Sequence, residues 1–296
     1  MTSFSIRKLF PEMADKSTIC PKGRAVIITG CDTGFGNGLA FQLNRLGFHT
    51  IALCLNANSD GVIQLAQKAV FAHQLHAIEV DITNDTQIDV TFEQISDILR
   101  LNNLKLWAVV NNAGVFHAGF AEWGEGVDAY RRTLDVNTLG AIRVTRKCLP
   151  LLRQSGGRVV NVLSFASRLA IDGYSAYCVS KYALLAFNDS LRREMFRFGV
   201  KVISVEPSCY RTPIAQLEAV NQMQDRVWSE TSPSVREDQN EVIDALIRAV
   251  VSDEPNVRYQ CSGILDALIV SFAELLPIPI FDSFWRFVYR FEVFSK

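Results

Sequence analysis

Short apolar runs alternate with segments of helical periodicity along most of the chain, and this alternation constrains the fold most. The runs are rich in Val, Ile, Leu and Ala and fill residues 24–29, 48–54, 76–80, 106–111, 158–164, 200–206 and about 257–261. Helical patterns cover about 60–72, 84–100, 128–154 and 175–197, and another follows the first run. Continuous apolar runs are typical of strands buried on both faces. We therefore predict an α/β fold, a doubly wound parallel sheet of about seven strands with helices on both faces.

Composition agrees with one large α/β domain and excludes some partners. The 296 residues are 49% hydrophobic, which is enough to bury a large core. Thirty basic and 31 acidic residues give a net charge of −1, so no electrostatic footprint for nucleic acid is present. Seven cysteines without a CxxC pair indicate reduced thiols in an intracellular compartment. His73 and His76 have no further ligand at zinc spacing, so we predict no metal site.

The first run ends in a glycine-rich turn, TGCDTGFG at residues 29–36, which leads into a helix. Glycines allow the backbone to turn sharply and to approach a pyrophosphate closely. The start of the following helix adds free N–H groups and the positive end of its dipole. We predict a dinucleotide site in which the turn contributes Thr29, Gly30, Asp32, Gly34, Phe35 and Gly36.

The end of the second strand bears on the choice between NAD and NADP. The 2′-phosphate of NADP requires an Arg or Lys at that place or in the glycine turn. Leu55, Asn56 and Thr33 stand there instead, and the Asp that often follows the second strand in NAD-binding proteins is absent too. We predict NAD rather than NADP, with Asp81 at the end of the third strand facing the adenine.

The stretch YSAYCVSKY at residues 174–182 contains a candidate acid–base pair. Tyr177 and Lys181 are four residues apart and therefore share one face of a helix. A tyrosine with its ordinary pKa of ~10 is a poor acid–base catalyst at neutral pH, and a nearby ammonium lowers that pKa. Ser164 ends the fifth strand, where its hydroxyl can hold a substrate oxygen against Tyr177.

Taken together, these segments resemble the short-chain dehydrogenase/reductase family over about residues 22–212. The segments that carry the resemblance, in order, are TGCDTGFG (29–36), NNAG (111–114), DVNTLG (135–140), Ser164 and YCVSK (177–181). The resemblance implies that Tyr177 exchanges the proton and that Lys181 lowers its pKa and anchors the nicotinamide ribose. It also implies that Ser164 orients the substrate oxygen and that Asn137 holds a water in a proton relay. Further cofactor contacts are implied for Asn112, Ala113, Gly114, Pro207 and Thr212.

One position departs from the family pattern. The family usually has Pro-Gly after the sixth strand, and this chain has Pro207-Ser208. Serine tolerates a positive φ poorly, so we expect strain or a small shift at Ser208 if that position requires the left-handed conformation.

Within the family, the chain resembles a branch that contains retinol dehydrogenases, 17β-hydroxysteroid dehydrogenases and D-β-hydroxybutyrate dehydrogenase. The segments that carry this finer resemblance are TGCDTGFGNGLA, LWAVVNNAG, FNDSLRREM and GVKVISVEP. It implies an NAD-dependent oxidoreductase that interconverts a lipophilic alcohol, such as a steroid or retinoid, and its carbonyl. Aromatic residues near the C-terminus would wall the substrate pocket: Phe272, Phe281, Phe284, Trp285 and Phe287.

Two alternatives stay open. The first is a D-3-hydroxybutyrate dehydrogenase, whose carboxylate substrate would need a cation from Arg168, Arg211 or Arg226, although each is expected to be exposed to solvent. The second is a cofactor-binding scaffold without turnover. A homo-oligomer, formed through the helices that carry Tyr177 and Asn137, is implied by the resemblance.

We divide the chain into an N-terminal arm (1–22), a Rossmann-type domain (23–262) and an apolar, helical C-terminal extension (263–296). Residues 213–240 are predicted to form a substrate loop beyond the sixth strand. Acidic residues and prolines interrupt the extension, so it is a poor membrane-spanning helix. A lid, a dimer surface, a peripheral membrane anchor and a cap on the core all remain open for it.

We expect an intracellular protein, because no secretory signal is recognisable at the N-terminus. We expect either a cytoplasmic location or association with the endoplasmic reticulum membrane. A mitochondrial location is an alternative, because the first ten residues are basic, carry hydroxyls and contain no acid.

Overall fold

The computed structural model describes residues 17–123, 126–210 and 236–284. Seven parallel strands form one sheet in the order β3-β2-β1-β4-β5-β6-β7. The strands are β1 (Arg24–Thr29), β2 (His49–Cys54), β3 (Leu75–Glu79), β4 (Lys105–Asn111), β5 (Arg158–Val162), β6 (Lys201–Pro207) and β7 (Arg258–Cys261). The predicted doubly wound sheet is confirmed, and each strand lies within two residues of its predicted ends.

Helices follow the strands in the expected alternation. They are α1 (Gly34–Leu46), α2 (Asp60–Lys68), α3 (Asp85–Leu101), α4 (Val127–Leu134), α5 (Ala141–Ser155), α6 (Ser175–Met195), α7 (Asn240–Val251) and α8 (Ile264–Leu275). Residues 278–284 are helical as well. The single helix predicted over 128–154 is instead α4 and α5 joined by a π-helical turn, Asp135–Gly140.

The sheet separates two apolar cores, because successive residues of a strand point to opposite faces. On β1, Val26 and Ile28 pack in one core with α1 and α7, and Ala25 and Ile27 pack in the other with α3, α5 and α6. All four side chains are fully buried. This burial on both faces is why the strands appear in the sequence as continuous apolar runs.

The carboxyl ends of all seven strands meet at one edge of the sheet, because the strands are parallel. The strand order changes direction between β1 and β4, and ligands of open α/β sheets bind in the crevice at such a switch point. The glycine turn and Asn112 directly follow strands at this edge, and Ser164 lies two residues beyond β5, which ends at Val162 rather than at Ser164 as predicted.

The predicted extension and arm are each described in part. Ile269 and Ala273 of α8, together with Phe281, pack on a small apolar cluster that includes Tyr174 and Tyr177. At the other end, Ile19 N–H donates to the carbonyl of Val251, so the described part of the arm runs along the end of α7. In the parts of the chain that the structure describes, no helix has the length and apolar character needed to cross a bilayer.

Several predicted features fall outside the described residues. They are most of the arm (1–16), the substrate loop from 213 to 235, Thr212, Arg211, Arg226 and the last twelve residues, which include Trp285 and Phe287.

Candidate active site

The glycine turn brings bare backbone to the switch point of the sheet. Gly30 and Gly34 have φ values of +70° and +63°, in the region that favours glycine. A Cβ on Gly30 would lie 2.7 Å from the Ala113 Cα, and one on Gly36 would lie 2.4 Å from the Asn112 side-chain nitrogen. Side chains are therefore excluded here, and the start of α1 presents free N–H groups that no side chain caps. The turn fits a pyrophosphate.

Hydrogen bonds tie this turn to the loop after β4. The Thr29 hydroxyl accepts from the N–H groups of Asn112 and Ala113, each at 3.0 Å. The Asn112 side chain donates to the carbonyls of Thr29 at 2.9 Å and Gly30 at 3.0 Å. The structure thus brings together the predicted cofactor residues of the two loops, and Gly114 follows in the second of them.

Two carboxylates surround the end of β2, where the adenosine ribose of a dinucleotide would lie. Asp32 accepts from the N–H groups of Leu55 at 3.0 Å and Asn56 at 2.9 Å. Glu79 accepts from the N–H of the next residue, Ala57, at 2.9 Å. The sequence did not single out Glu79, although an acidic residue at the end of the third strand could have indicated a contact near the adenosine ribose.

Asp81 lies two residues beyond the end of β3, because that strand ends at Glu79, one residue before the predicted end at Val80. Its carboxylate accepts from the N–H and the hydroxyl of Thr83, at 2.8 and 2.7 Å, in the turn that leads to α3.

Tyr177 and Lys181 lie on one face of α6, as their spacing predicts. The Lys181 nitrogen is 5.7 Å from the centre of the Tyr177 ring and donates to the Val162 carbonyl at 3.0 Å. Burial lowers the pKa of Lys181 to about 8. Burial also raises the pKa of Tyr177, and a hydrogen bond to Ser164 only partly opposes that shift. The lowered phenol pKa that the sequence suggested is therefore not what this structure gives, because loss of hydration dominates.

Ser164 is buried at the end of the β5 segment and faces Tyr177. Its backbone is extended and its hydroxyl accepts from the N–H of Ala166 at 3.1 Å, which caps a short 3₁₀ turn. One hydroxyl therefore both fixes the local backbone and reaches the phenol.

Asn137 lies in the π-helical turn and is almost fully buried. Its side-chain N–H groups donate to the Val115 carbonyl at 2.9 Å and the Ser180 hydroxyl at 3.0 Å. Its oxygen accepts from the Val115 N–H at 2.7 Å. These contacts connect the loop after β4 to α6, and the predicted water relay stays a prediction.

An apolar wall surrounds the phenol. The Phe116 ring packs edge-to-face on Tyr174 and Tyr177, with centroids 4.8 and 5.0 Å apart. Phe281 packs on the same cluster, whereas the side chains of Phe272 and Phe284 are about half exposed, and the pocket wall of C-terminal aromatic residues stays a prediction. The sequence analysis did not single out Phe116, although an aromatic residue two positions after the NNAG segment could have indicated a place near the site.

Arg168 is engaged by two carboxylates. It donates to both oxygens of buried Glu206, at 3.1 and 3.0 Å, and to Glu274 of α8 at 2.9 Å. Arg258 of β7 contacts the same Glu206 carboxylate at 2.9 Å. The expectation of a solvent-exposed Arg168 is therefore wrong, because these pairs hold the side chain at 19% exposure.

The expected strain at Ser208 is absent. Among the described residues other than glycine, only Asn103 has a positive φ. The Ser208 N–H donates to the Cys261 carbonyl at 2.9 Å, while its hydroxyl is buried without a partner within the described structure. Pro207, another predicted cofactor residue, directly precedes it at the end of β6.

Comparison with known proteins identifies the family. The family described as short chain dehydrogenase matches residues 24–223. Retinol dehydrogenase 7 of Mus musculus is 41% identical over 229 residues, 77% of this chain and 70% of the relative. The 17-beta-hydroxysteroid dehydrogenase type 6 of Bos taurus is 41% identical over 213 residues, 72% of this chain and 65% of the relative.

Solved structures agree with the sequence comparison. A short-chain dehydrogenase from Streptomyces avermitilis is 27% identical, with a TM-score of 0.72 over 91% of this chain and 98% of that one. The chain therefore belongs to the short-chain dehydrogenase family, in the branch of the retinol and 17β-hydroxysteroid dehydrogenases, and is an oxidoreductase that acts on CH–OH groups.

Proposed function

We propose that this protein is an NAD-dependent dehydrogenase that interconverts a lipophilic primary or secondary alcohol, of the retinoid or steroid class, and its carbonyl. One observation carries the proposal: a phenol, a serine hydroxyl and a buried lysine meet beside an apolar wall, next to a backbone turn that fits a pyrophosphate. The names of the two relatives support the substrate class.

Tyr177 is proposed to exchange the proton of the substrate. The Ser164 hydroxyl holds the substrate oxygen against the phenol, and the Lys181 ammonium favours the phenolate when charge develops. Because burial raises the pKa of Tyr177, the phenol keeps its proton at neutral pH and is ready to donate it to a carbonyl oxygen. Alcohol oxidation needs the phenolate and should therefore become faster as the pH rises, until Lys181 loses its charge at a pH of about 8.

The dinucleotide would be held by the glycine turn, the loop Asn112–Gly114 and Lys181 at its nicotinamide ribose, with Pro207 and Thr212 as further proposed contacts. When bound, it supplies the hydride acceptor or donor of the reaction. The Asp32 and Glu79 carboxylates support NAD over NADP, because a 2′-phosphate placed near two carboxylates is repelled.

The surroundings of Arg168 weigh against a hydroxybutyrate substrate. A carboxylate substrate needs a cation that is available to it, and Arg168 already contacts Glu206 and Glu274. The apolar wall of Phe116, Phe281 and α8 instead favours a substrate with a large apolar body.

We also propose peripheral association with a membrane through the C-terminal region. Helix α8 exposes Ile264, Leu265 and Leu275, among other apolar side chains. Residues 285–291 (WRFVYRF) add the aromatic and basic types that prefer a membrane interface.

Val179 and Tyr182, exposed on α6, support the proposed homo-oligomer.

A substrate screen tests the proposed function. All-trans-retinol, a 3-hydroxysteroid, a 17-hydroxysteroid and D-3-hydroxybutyrate are each assayed with NAD and NADP by absorbance at the wavelength of the reduced cofactor. We expect turnover with a lipophilic alcohol and NAD. Tyr177→Phe should lower the rate by about 10²–10⁴-fold, and the matched control Tyr182→Phe should not.

Three outcomes contradict the proposal. Turnover of D-3-hydroxybutyrate alone would establish the hydroxy-acid alternative. Binding of NADH without turnover of any substrate would favour the scaffold. Full activity of Tyr177→Phe would remove the phenol from the chemistry.

A further inference from the structure

Four separate segments of the chain meet around the ring of Tyr210, which is 7% exposed. Its hydroxyl donates to the Glu241 carboxylate at 2.7 Å and lies 3.3 Å from the Cys261 carbonyl of β7. Arg236 donates to the same hydroxyl at 3.1 Å and pairs with Glu241 at 2.5 Å. The hydroxyl end of the ring is thus fixed by groups on α7, β7 and the segment that precedes α7.

The Tyr210 ring also contacts the glycine turn. The Phe35 ring packs edge-to-face on it, with centroids 5.7 Å apart and planes at 82°. Phe35 stands between Gly34 and Gly36, so it is the one side chain in the first three residues of α1. Aromatic pairs of this geometry have a preferred orientation, and they add stabilisation beyond the area they bury.

The first three residues of α1 are also where the helix offers its free N–H groups. Glycines on both sides give this backbone unusual freedom, because they carry no side chain that could be packed. The edge-to-face contact between Phe35 and Tyr210 is therefore one side-chain contact that restrains the orientation of these N–H groups. Behind it, α7 lies close to α1, since a Cβ on Gly38 would be 2.5 Å from Ile243.

We propose that Tyr210 is a positioning residue for the pyrophosphate: it acts through Phe35, holds the N–H groups at the start of α1 in their binding orientation, and links them to α7 and β7. This inference rests on the proposed dinucleotide site. It predicts that the contact matters for ligands that carry a pyrophosphate and not for adenosine alone.

Dissociation constants of three ligands test the inference by isothermal titration calorimetry. NADH and ADP-ribose carry the pyrophosphate, and adenosine lacks it. We expect Tyr210→Leu and Phe35→Leu each to weaken NADH and ADP-ribose by about three- to tenfold and to leave adenosine unchanged. The double variant should lose no more than the weaker-binding single variant, because both changes remove one contact. Tyr210→Phe keeps the ring and should lose less, by about two- to threefold.

Two control variants separate positioning from general destabilisation. Phe41→Leu alters another aromatic residue of α1, and Tyr259→Leu alters a tyrosine of β7; both side chains pack on the same core as Phe35. They should lower the melting temperature and leave the affinity ratio of ADP-ribose to adenosine as in the wild type. If Tyr210→Leu does not fold, Phe35→Leu and Tyr210→Phe carry the test.

The inference is overturned if the Tyr210 and Phe35 variants bind ADP-ribose as the wild type does, if adenosine is weakened equally, or if the two losses add. If the wild type itself binds neither NADH nor ADP-ribose, the proposed function fails first and this inference falls with it.

Discussion

Replacing Glu206 by Gln should destabilise the protein more than the change of one atom suggests. Glu206 is 2% exposed, and its carboxylate meets Arg168 and Arg258, while the Ser204 hydroxyl donates to it at 2.9 Å. Glutamine keeps the shape but loses the charge, and its amide N–H groups would face arginine N–H groups. Two partly buried guanidinium groups would then lose their main counter-charge.

The magnitude follows from the burial of the three groups. Removing one partner of a fully buried ion pair costs about 3–5 kcal/mol. Arg168 and Arg258 are 19% and 28% exposed and both keep Glu274 within reach, so solvent screening reduces the cost. We expect a loss of about 2–3 kcal/mol in the free energy of unfolding, which corresponds to a fall of about 3–5 °C in Tm for a chain of this length.

Urea unfolding followed by circular dichroism, together with calorimetry, measures both quantities. The matched control is Glu274→Gln, which removes a half-exposed partner of the same arginines and should cost less than about 1 kcal/mol. The reasoning is refuted if Glu206→Gln unfolds within about 0.5 kcal/mol of the wild type, or if the control loses as much as the Glu206 variant.

Three further changes test other parts of the structure. Gly36→Ala places a methyl group 2.4 Å from a backbone carbonyl, so urea unfolding should show a loss of about 1–3 kcal/mol and calorimetry should show much weaker NADH binding. Ser208→Ala removes a buried hydroxyl without a partner in the described structure, so Tm should stay equal or rise; a fall would mean that the hydroxyl is satisfied. His49 and His76 stack, and burial lowers the pKa of both, so the unfolded chain binds more protons and stability should fall as the pH drops below 6.5. His49→Gln should flatten this dependence in unfolding measured between about pH 5 and 8, whereas an unchanged slope would contradict the assignment.

The sheet and most of the helices could be predicted because hydrophobic periodicity reports burial directly. Ile27 and Val109, for example, belong to runs in which nearly every residue is buried on one face of the sheet or the other. The π-helical turn at Asp135–Gly140 could not be predicted, because the helical pattern continues through it and only the backbone hydrogen bonds shift.

The candidate site was predictable where a motif has fixed spacing, as with Tyr177 and Lys181 four residues apart. The direction of the Tyr177 pKa shift could not be predicted from the sequence, because it depends on how much water the folded site excludes. The contacts of Glu206 and Tyr210 join residues far apart in the chain, and a single sequence carries no pattern that places such residues together.

β1 lies in the interior of the sheet, between β2 and β4. Its ladder with β2 joins residues about 25 positions apart, such as Ala25 and His49, whereas its ladder with β4 joins Arg24 to Lys105, about 80 positions later. During synthesis, β1, β2 and β3 can therefore assemble before β4 has left the ribosome. The crevice exists only after β4 has docked beside β1, so a nascent chain from which only β1, β2 and β3 have emerged has no place to capture a nucleotide.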